Sequence, residues 1–279
     1  MRRRGISKLK LVAIYIFLIL FTAATLYPVV RVFSISLRPG NRLLSTSLRI
    51  IPDGATFEAY RRLFTETDFL RWMLNSLIVS LAVTLTGVIF ASAAGYIFSK
   101  YRFIGKKVGL TALLTTQMFP ATMLLLPMYI MISKLGLINS YLGLIVVYLA
   151  TVLPFCIWQM KGYYDTIPDS LHEAAIIDGC SHFQAFYKVI LPLAAPALVI
   201  TALFSFMGSW SEYIVAAVIL QDQSMFTLPL GLKMFQANMS TDWGLYAAGS
   251  VIVSIPVVVL FIILSKWLVS GLTLGSVKG

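Results

Sequence analysis

Acidic side chains are scarce in this chain. Eleven Asp and Glu stand among 279 residues, charged residues together make up 12%, and hydrophobic residues make up 59%. Soluble globular domains carry roughly 25% charged residues, so that class is excluded. Two cysteines, Cys156 in an apolar stretch and Cys180 in a polar connector, rule out a disulfide scaffold. His172 and His182 have no cysteine partners at zinc spacing and read as solvated histidines. There is no G-x-x-x-x-G-K-[ST] loop to cradle a nucleotide. Repeats, heptad arrays and low-complexity tracts are also missing.

Long charge-free runs are present instead. They extend from Leu11 to Val30, Trp72 to Ser99, Val108 to Ser133, Leu135 to Met160, Val189 to Ser211 and Trp243 to Ser265. Each supplies the roughly 20 residues that an α-helix needs to cross about 30 Å of hydrocarbon. Lipid offers the backbone no hydrogen-bond partners, so each run must be helical. The expectation is an all-α polytopic membrane protein with six transmembrane helices. The first apolar run is too long for a cleaved signal and reads as a retained signal-anchor.

The net charge of +11 does not point to nucleic acid, because the lysines and arginines sit in connectors beside apolar runs, where they set orientation. Five basic residues precede Leu11, and Lys100 to Lys107 holds four with no acid, which places both segments in the cytosol. The seven arginines between Arg31 and Arg71 oppose that rule, diluted by four acids. The resulting layout is a cytosolic N-terminus (1–10), a first span (11–33), an external segment (34–71) and a core of five spans (72–267). The core contains a cytosolic connector (161–192) and an external loop (221–242), and a cytosolic tail (268–279) follows. Helix five should run outward to about Leu220. A short surface helix is expected within Phe57–Phe69. Prolines at Pro28, Pro120, Pro127, Pro154, Pro196 and Pro256 interrupt the spans, and such breaks need rescue by neighbouring helices, serines or water.

The connector is the unusual part. Ser170 and Glu173 have capping-box spacing behind Pro168. Leu171, Ala174 and Ala175 would share a face, and Gly179 falls where a left-handed cap would end the helix. Phe183, Phe186, Tyr187 and Ile190 form a second helical stripe, which Leu191-Pro192 should stop. Two short helices would lie along the membrane face. Asp165, Asp169, Glu173 and Asp178 dominate their polar side, a sign that an anionic lipid surface would repel. A docked protein fits that charge better.

The pattern E-A-A, three residues, G, nine residues, a branched residue, one residue, L-P resembles the EAA loop of ABC importer permeases. Glu173, Ala174, Ala175, Gly179, Leu191 and Pro192 fit it, with Val189 where isoleucine is usual. Ser36-Leu37-Arg38, Gln117-Met118-Phe119-Pro120, Lys161-Gly162-Tyr163, Trp267-Leu268-Val269, Gly271-Leu272-Thr273 and Val277-Lys278-Gly279 resemble the smaller permeases of maltose/maltodextrin importers, a binding-protein-dependent inner-membrane family. The resemblance implies a type I ABC importer permease fold, with Glu173 to Gly179, including Asp178, as a coupling helix seated in a cytosolic ATPase. It further implies a second, MalF-like permease as heterodimeric partner, a dimer of ATPase subunits that use ATP and magnesium, and an extracytoplasmic sugar-binding protein. No cofactor would be bound by this chain itself. Val277, Lys278 and Gly279 could reach between the ATPase subunits. Permeases for other sugars or for glycerol phosphate share this architecture.

Glu212 is the one acid expected within a span, where an unpartnered carboxylate costs about 2.5 kcal/mol or more. With Trp210, Tyr213 and Gln117 it is a candidate lining of a sugar path, or else a helix-helix contact with the partner permease. Its isolation argues against an ion-coupled secondary transporter, which buries several ionisable groups. No nucleophile-base pair or metal cluster within the spans supports an intramembrane enzyme.

Overall fold

In the computed structural model, residues 7–40, 49–236 and 241–274 are described. In chain order the helices are α1 (Lys8–Ser36), α2 (Glu58–Thr65), α3 (Phe69–Lys100), α4 (Lys106–Met118), α5 (Leu125–Lys134) and α6 (Tyr141–Tyr164). They continue as α7 (Asp169–Ile177), α8 (His182–Ala185), α9 (Leu191–Leu193), α10 (Ala195–Trp210), α11 (Ile214–Ile219), α12 (Leu228–Lys233) and α13 (Trp243–Leu274). No strand occurs among the described residues.

Four helices are long and apolar enough to cross a bilayer unbroken: α1, α3, α6 and α13. The third and fifth expected spans are bent pairs. α4 and the segment Thr122–Lys134 meet at 98°, and the segments His182–Leu193 and Ala195–Trp210 meet at 81°. Six spans result when each bent pair counts as one. Proline accounts for both breaks. Pro120 stands directly before the 3-10 turn Ala121–Leu124, and Pro192 and Pro196 flank Ala194. A proline has no N–H to donate and its ring clashes with the preceding turn, so the chain turns there.

The fifth helix does not run through to Leu220 as expected. α10 ends at Trp210, and Ser211–Tyr213 break the path before α11. Its 16 residues rise only about 24 Å at 1.5 Å per residue.

The chain forms two compact units, Met1–Phe69 with Leu232–Ser254, and Leu70–Gly231 with Ile255–Gly279. In the first unit, the short surface helix expected in the external segment forms as α2. Tyr60 on α2 shares a 2.7 Å hydrogen bond with Ser36, and Arg62 donates to Asp242 at 3.1 Å. Asp242 also accepts from Leu245 N–H at 3.1 Å, capping α13.

The second unit packs its spans through small residues, as bilayer-embedded helices do when no water drives them together. A Cβ at Gly95 would stand 2.7 Å from Met160 Cβ and 2.9 Å from Lys161 N, so α3 and α6 touch there nearly backbone to backbone. At Gly208 it would stand 3.1 Å from Val152, and at Gly87 3.2 Å from Ser205. One apolar cluster gathers Val79, Leu144, Tyr148 and Ile219; another gathers Ala91, Met160, Tyr164 and Ile190. The second sits beside the connector between α6 and α10.

Asparagine and tryptophan side chains strap the segment after α11. Asn139, at φ +54°, accepts from Gln221 N–H at 3.0 Å and Asp222 N–H at 3.1 Å. Asn75 donates to Ser224 O and Phe226 O, and Trp72 donates to Gln223 O at 3.0 Å. Each of these carbonyls would otherwise need water.

Candidate functional site

The connector between α6 and α10 is built as two short helices joined at Gly179. Asp178 N–H donates to Ala174 O, Gly179 N–H to Ile176 O and Cys180 N–H to Ala175 O, all within 3.0 Å. Gly179 adopts φ +88°, the left-handed conformation that a side chain disfavours. This is a Schellman ending, which satisfies the last carbonyls of α7, and it agrees with the expectation for Gly179.

The start of α7 differs from expectation. Pro168 occupies the N-cap and no side chain caps the helix, so Ser170 and Glu173 form no capping box. Ser170 already lies inside the first turn, where its hydroxyl cannot reach back to the helix start. The box forms one helix later: Ser181 Oγ accepts from Gln184 N–H at 3.2 Å, and Gln184 Oε1 accepts from Ser181 N–H at 2.8 Å. The spacing Ser181-x-x-Gln184 was a legible signal for it.

The outward face also differs. Ala175 is 6% exposed and turns inward. Leu171, Glu173, Ala174, Ile177, Asp178 and Gly179 remain exposed, with Ile177 at 84%. The presented ridge is therefore Leu171, Ala174 and Ile177–Asp178, flanked by Glu173. Leu191 and Pro192 do not stop the second helix. A π turn, Phe186–Ile190, carries it into α9, with Leu191 N–H reaching back to Phe186 O, and the break comes at Ala194. The wider turn lets the path continue into Pro192, which offers no N–H of its own.

Buried charge fastens this platform to the spans. Lys100, at the end of α3, has a side chain only 4% exposed. It donates to Ile167 O at 2.6 Å and to Asp169 at 2.7 Å. The Asp169 carboxyl is held below its usual range, chiefly by that hydrogen bond. Asp169 also lies in the first turn of α7, where the helix dipole favours an anion. Ser99 donates to Asp165 at 2.7 Å, and Asp165 pairs with Lys161. A shift of α7 must therefore pull on the ends of α3 and α6.

The two histidines are not simply solvated. Their rings stack with centroids 5.8 Å apart, and both contact Tyr101. His172 Nε2 is shielded and has no hydrogen-bond partner among the described residues. Burial first, then His182 and Lys100, lowers the pKa of His172, while Asp169 and Glu173 oppose the shift.

Glu212 stands in the gap between α10 and α11 rather than within a helix. Its carboxylate accepts from Val215 N–H at 2.9 and 3.1 Å and from Ala216 N–H at 3.2 Å. Tyr148 OH on α6 donates to it at 2.9 Å. The acid thus caps the restarting helix and ties it to α6. Trp210 is 1% exposed and stacks on Phe206, so its ring belongs to the core of this chain rather than to an open path. Tyr213 is exposed, and Gln117 donates to Thr151 O at 3.2 Å. Val277, Lys278 and Gly279 lie outside the described residues. Lys100 and Tyr148 escaped sequence reasoning because each depends on a neighbour tens of residues away, and the histidine stack did so because it is built against the distant Tyr101.

Residues 84–273 match the family described as binding-protein-dependent transport system inner membrane component. The maltodextrin transport system permease protein MdxG of Bacillus subtilis is 36% identical, over 95% of each chain. The galactooligosaccharides transport system permease protein GanQ of the same organism is also 36% identical, over 97% of this chain and 96% of its own. The maltose/maltodextrin permease MalG of Yersinia pestis is 32% identical, over 98% of this chain and 95% of its own. A chain from the crystal structure of a bacterial ABC transporter that imports the acidic polysaccharide alginate superposes with a TM-score of 0.81 at 25% identity, covering 95% of this chain and 98% of its own. With its apolar spans and its capped, solvent-exposed connector, this multi-pass membrane protein belongs to the binding-protein-dependent transport system inner membrane component family and has the type I ABC importer permease fold.

Proposed function

We propose that this chain is one permease half of an ATP-driven importer for neutral oligosaccharides, maltodextrins foremost. The relatives named for maltodextrin and galactooligosaccharide transport support that substrate class. The observation that carries the mechanism is the α7 ridge: exposed at Leu171, Ala174, Ile177 and Asp178, yet fastened through Lys100 to the end of α3. A surface meant only for solvent has no need of a buried lysine clamp, whereas a lever does.

In this reading Glu173, Ala174, Asp178 and Gly179 seat in a cytosolic ATPase dimer, which supplies the nucleotide site and its magnesium. Ala175, Leu191 and Pro192 shape the platform behind them. Closure of the ATPases would pull on α3 and α6 through the α7 clamp and rock the spans of this chain against a second permease. Both termini would lie in the cytosol, and the tail Val277-Lys278-Gly279 would reach the ATPases. An extracytoplasmic binding protein would deliver the sugar. Glu212 and Tyr213, at the gap between α10 and α11, are this chain's candidates for the path, with Gln117 as a further polar group.

The experiment is uptake of labelled maltotriose and galactotriose by cells with the gene deleted and restored. Loss of maltotriose uptake on deletion supports the assignment. Unchanged uptake of both sugars overturns the substrate class. Purification of the tagged chain without any ATPase subunit overturns the coupling role.

A further inference from the structure

We propose that the groove beside the connector binds a phospholipid with an anionic headgroup, its phosphate on Arg102 and one acyl chain in the groove. The groove holds about 560 Å³, within the roughly 300–1,000 Å³ span of small-molecule sites. Ile97 of α3, Phe103 after it, and Phe183 and Phe186 of the connector line it together with Arg102 and His182. No lining residue is acidic.

Position and charge select the occupant. α3 is a 32-residue apolar helix that ends at Lys100, so the groove opens at a bilayer boundary. The outer surface of α3 leading to it is apolar and exposed at Ile89, Phe90 and Ile97, and Phe183 beyond it is 70% exposed. Arg102 is exposed and makes no hydrogen bond or ion pair among the described residues. The acid that feels it, Asp169, is already bonded to Lys100. An unpaired guanidinium above an aromatic slot matches a phosphodiester above a hydrocarbon tail. One wall belongs to the connector, so a seated lipid would brace α8 and the π turn against α3. That consequence for coupling rests on the proposed function; the binding does not.

The test uses the intact transporter complex in nanodiscs of mixed phosphatidylglycerol and phosphatidylcholine, with retained lipid counted by native mass spectrometry. Selective retention of phosphatidylglycerol is expected. Arg102→Ala should lower it about tenfold, the worth of one charge-assisted contact, and Arg102→Lys should restore part. Ala93→Trp, which fills the groove and leaves Arg102 in place, should also expel the lipid. Arg71→Ala, at the other end of α3, should change nothing. Equal retention of both lipids by the unaltered complex, or unchanged selectivity in Arg102→Ala, overturns the proposal. So does a photo-crosslinker at Phe183 that captures an ATPase subunit in place of lipid. Lipid selectivity in a complex that imports no sugar would leave the binding site standing and the proposed function fallen.

Discussion

Replacing Gly179 separates a docking role from a merely structural one. Gly179 sits at φ +88°, and a Cβ built there meets nothing within 4 Å. A substitution therefore costs only backbone strain inside this chain, roughly 1–2 kcal/mol for an L-residue in the left-handed region. Aspartate tolerates that region better than alanine does. If strain were the whole effect, Gly179→Ala would be at least as harmful as Gly179→Asp. If the turn is pressed into a partner, aspartate buries an unpaired charge there, which costs about 3–5 kcal/mol, or more than about 100-fold in affinity. Gly179→Ala should then retain the ATPase subunits and most sugar uptake, while Gly179→Asp should release the ATPase and abolish uptake. The assay is co-purification from membranes with parallel uptake of labelled maltotriose. Equal losses in the two variants, or normal assembly with Gly179→Asp, would refute the reasoning.

Tyr148→Phe removes one of the donors to Glu212 and should destabilise the purified protein by about 1.5–3 kcal/mol; Glu212→Ala leaves all of those donors unanswered and should lower the thermal midpoint further. A larger effect from Tyr148→Phe would mean that the cap on α11 is unimportant. Lys100→Met keeps the stem and deletes both contacts of the ammonium with Ile167 and Asp169. Amide exchange across 166–176 should quicken with the spans unaffected, and unchanged protection would count against the clamp. Burial holds the His172 pKa below the ordinary value of about 6.5. The unfolded chain therefore binds the proton first as pH falls, and stability drops as pH is lowered through about 6.5 towards the depressed value. His172→Gln should flatten that part of the stability profile, and an unaltered slope would rule the histidine out.

Much of this architecture was legible along the chain. Six apolar runs became four whole spans and two bent ones; Pro120 and Pro196 stand at the bends, whereas Pro28, Pro154 and Pro256, also expected to interrupt spans, lie inside the unbroken helices α1, α6 and α13. The left-handed cap at Gly179 was legible because its requirement is local: few residues other than glycine accept that backbone. The capping box was misplaced for the opposite reason. Ser170-x-x-Glu173 and Ser181-x-x-Gln184 are equivalent patterns on paper, and only the position of the helix start decides which hydroxyl is free to cap.

Composition and periodicity determined that this chain is helical, lies in lipid and carries a polar connector of defined shape, because hydrocarbon leaves the backbone no other way to satisfy its hydrogen bonds. Tertiary structure alone decided which residues act together. Ala175 turned inward, Trp210 entered the core, Glu212 found Tyr148 64 positions away, and Lys100 reached Asp169 across 69. Those pairings depend on how helices cross, a matter of close approach at Gly95 and Gly208 that periodicity does not encode.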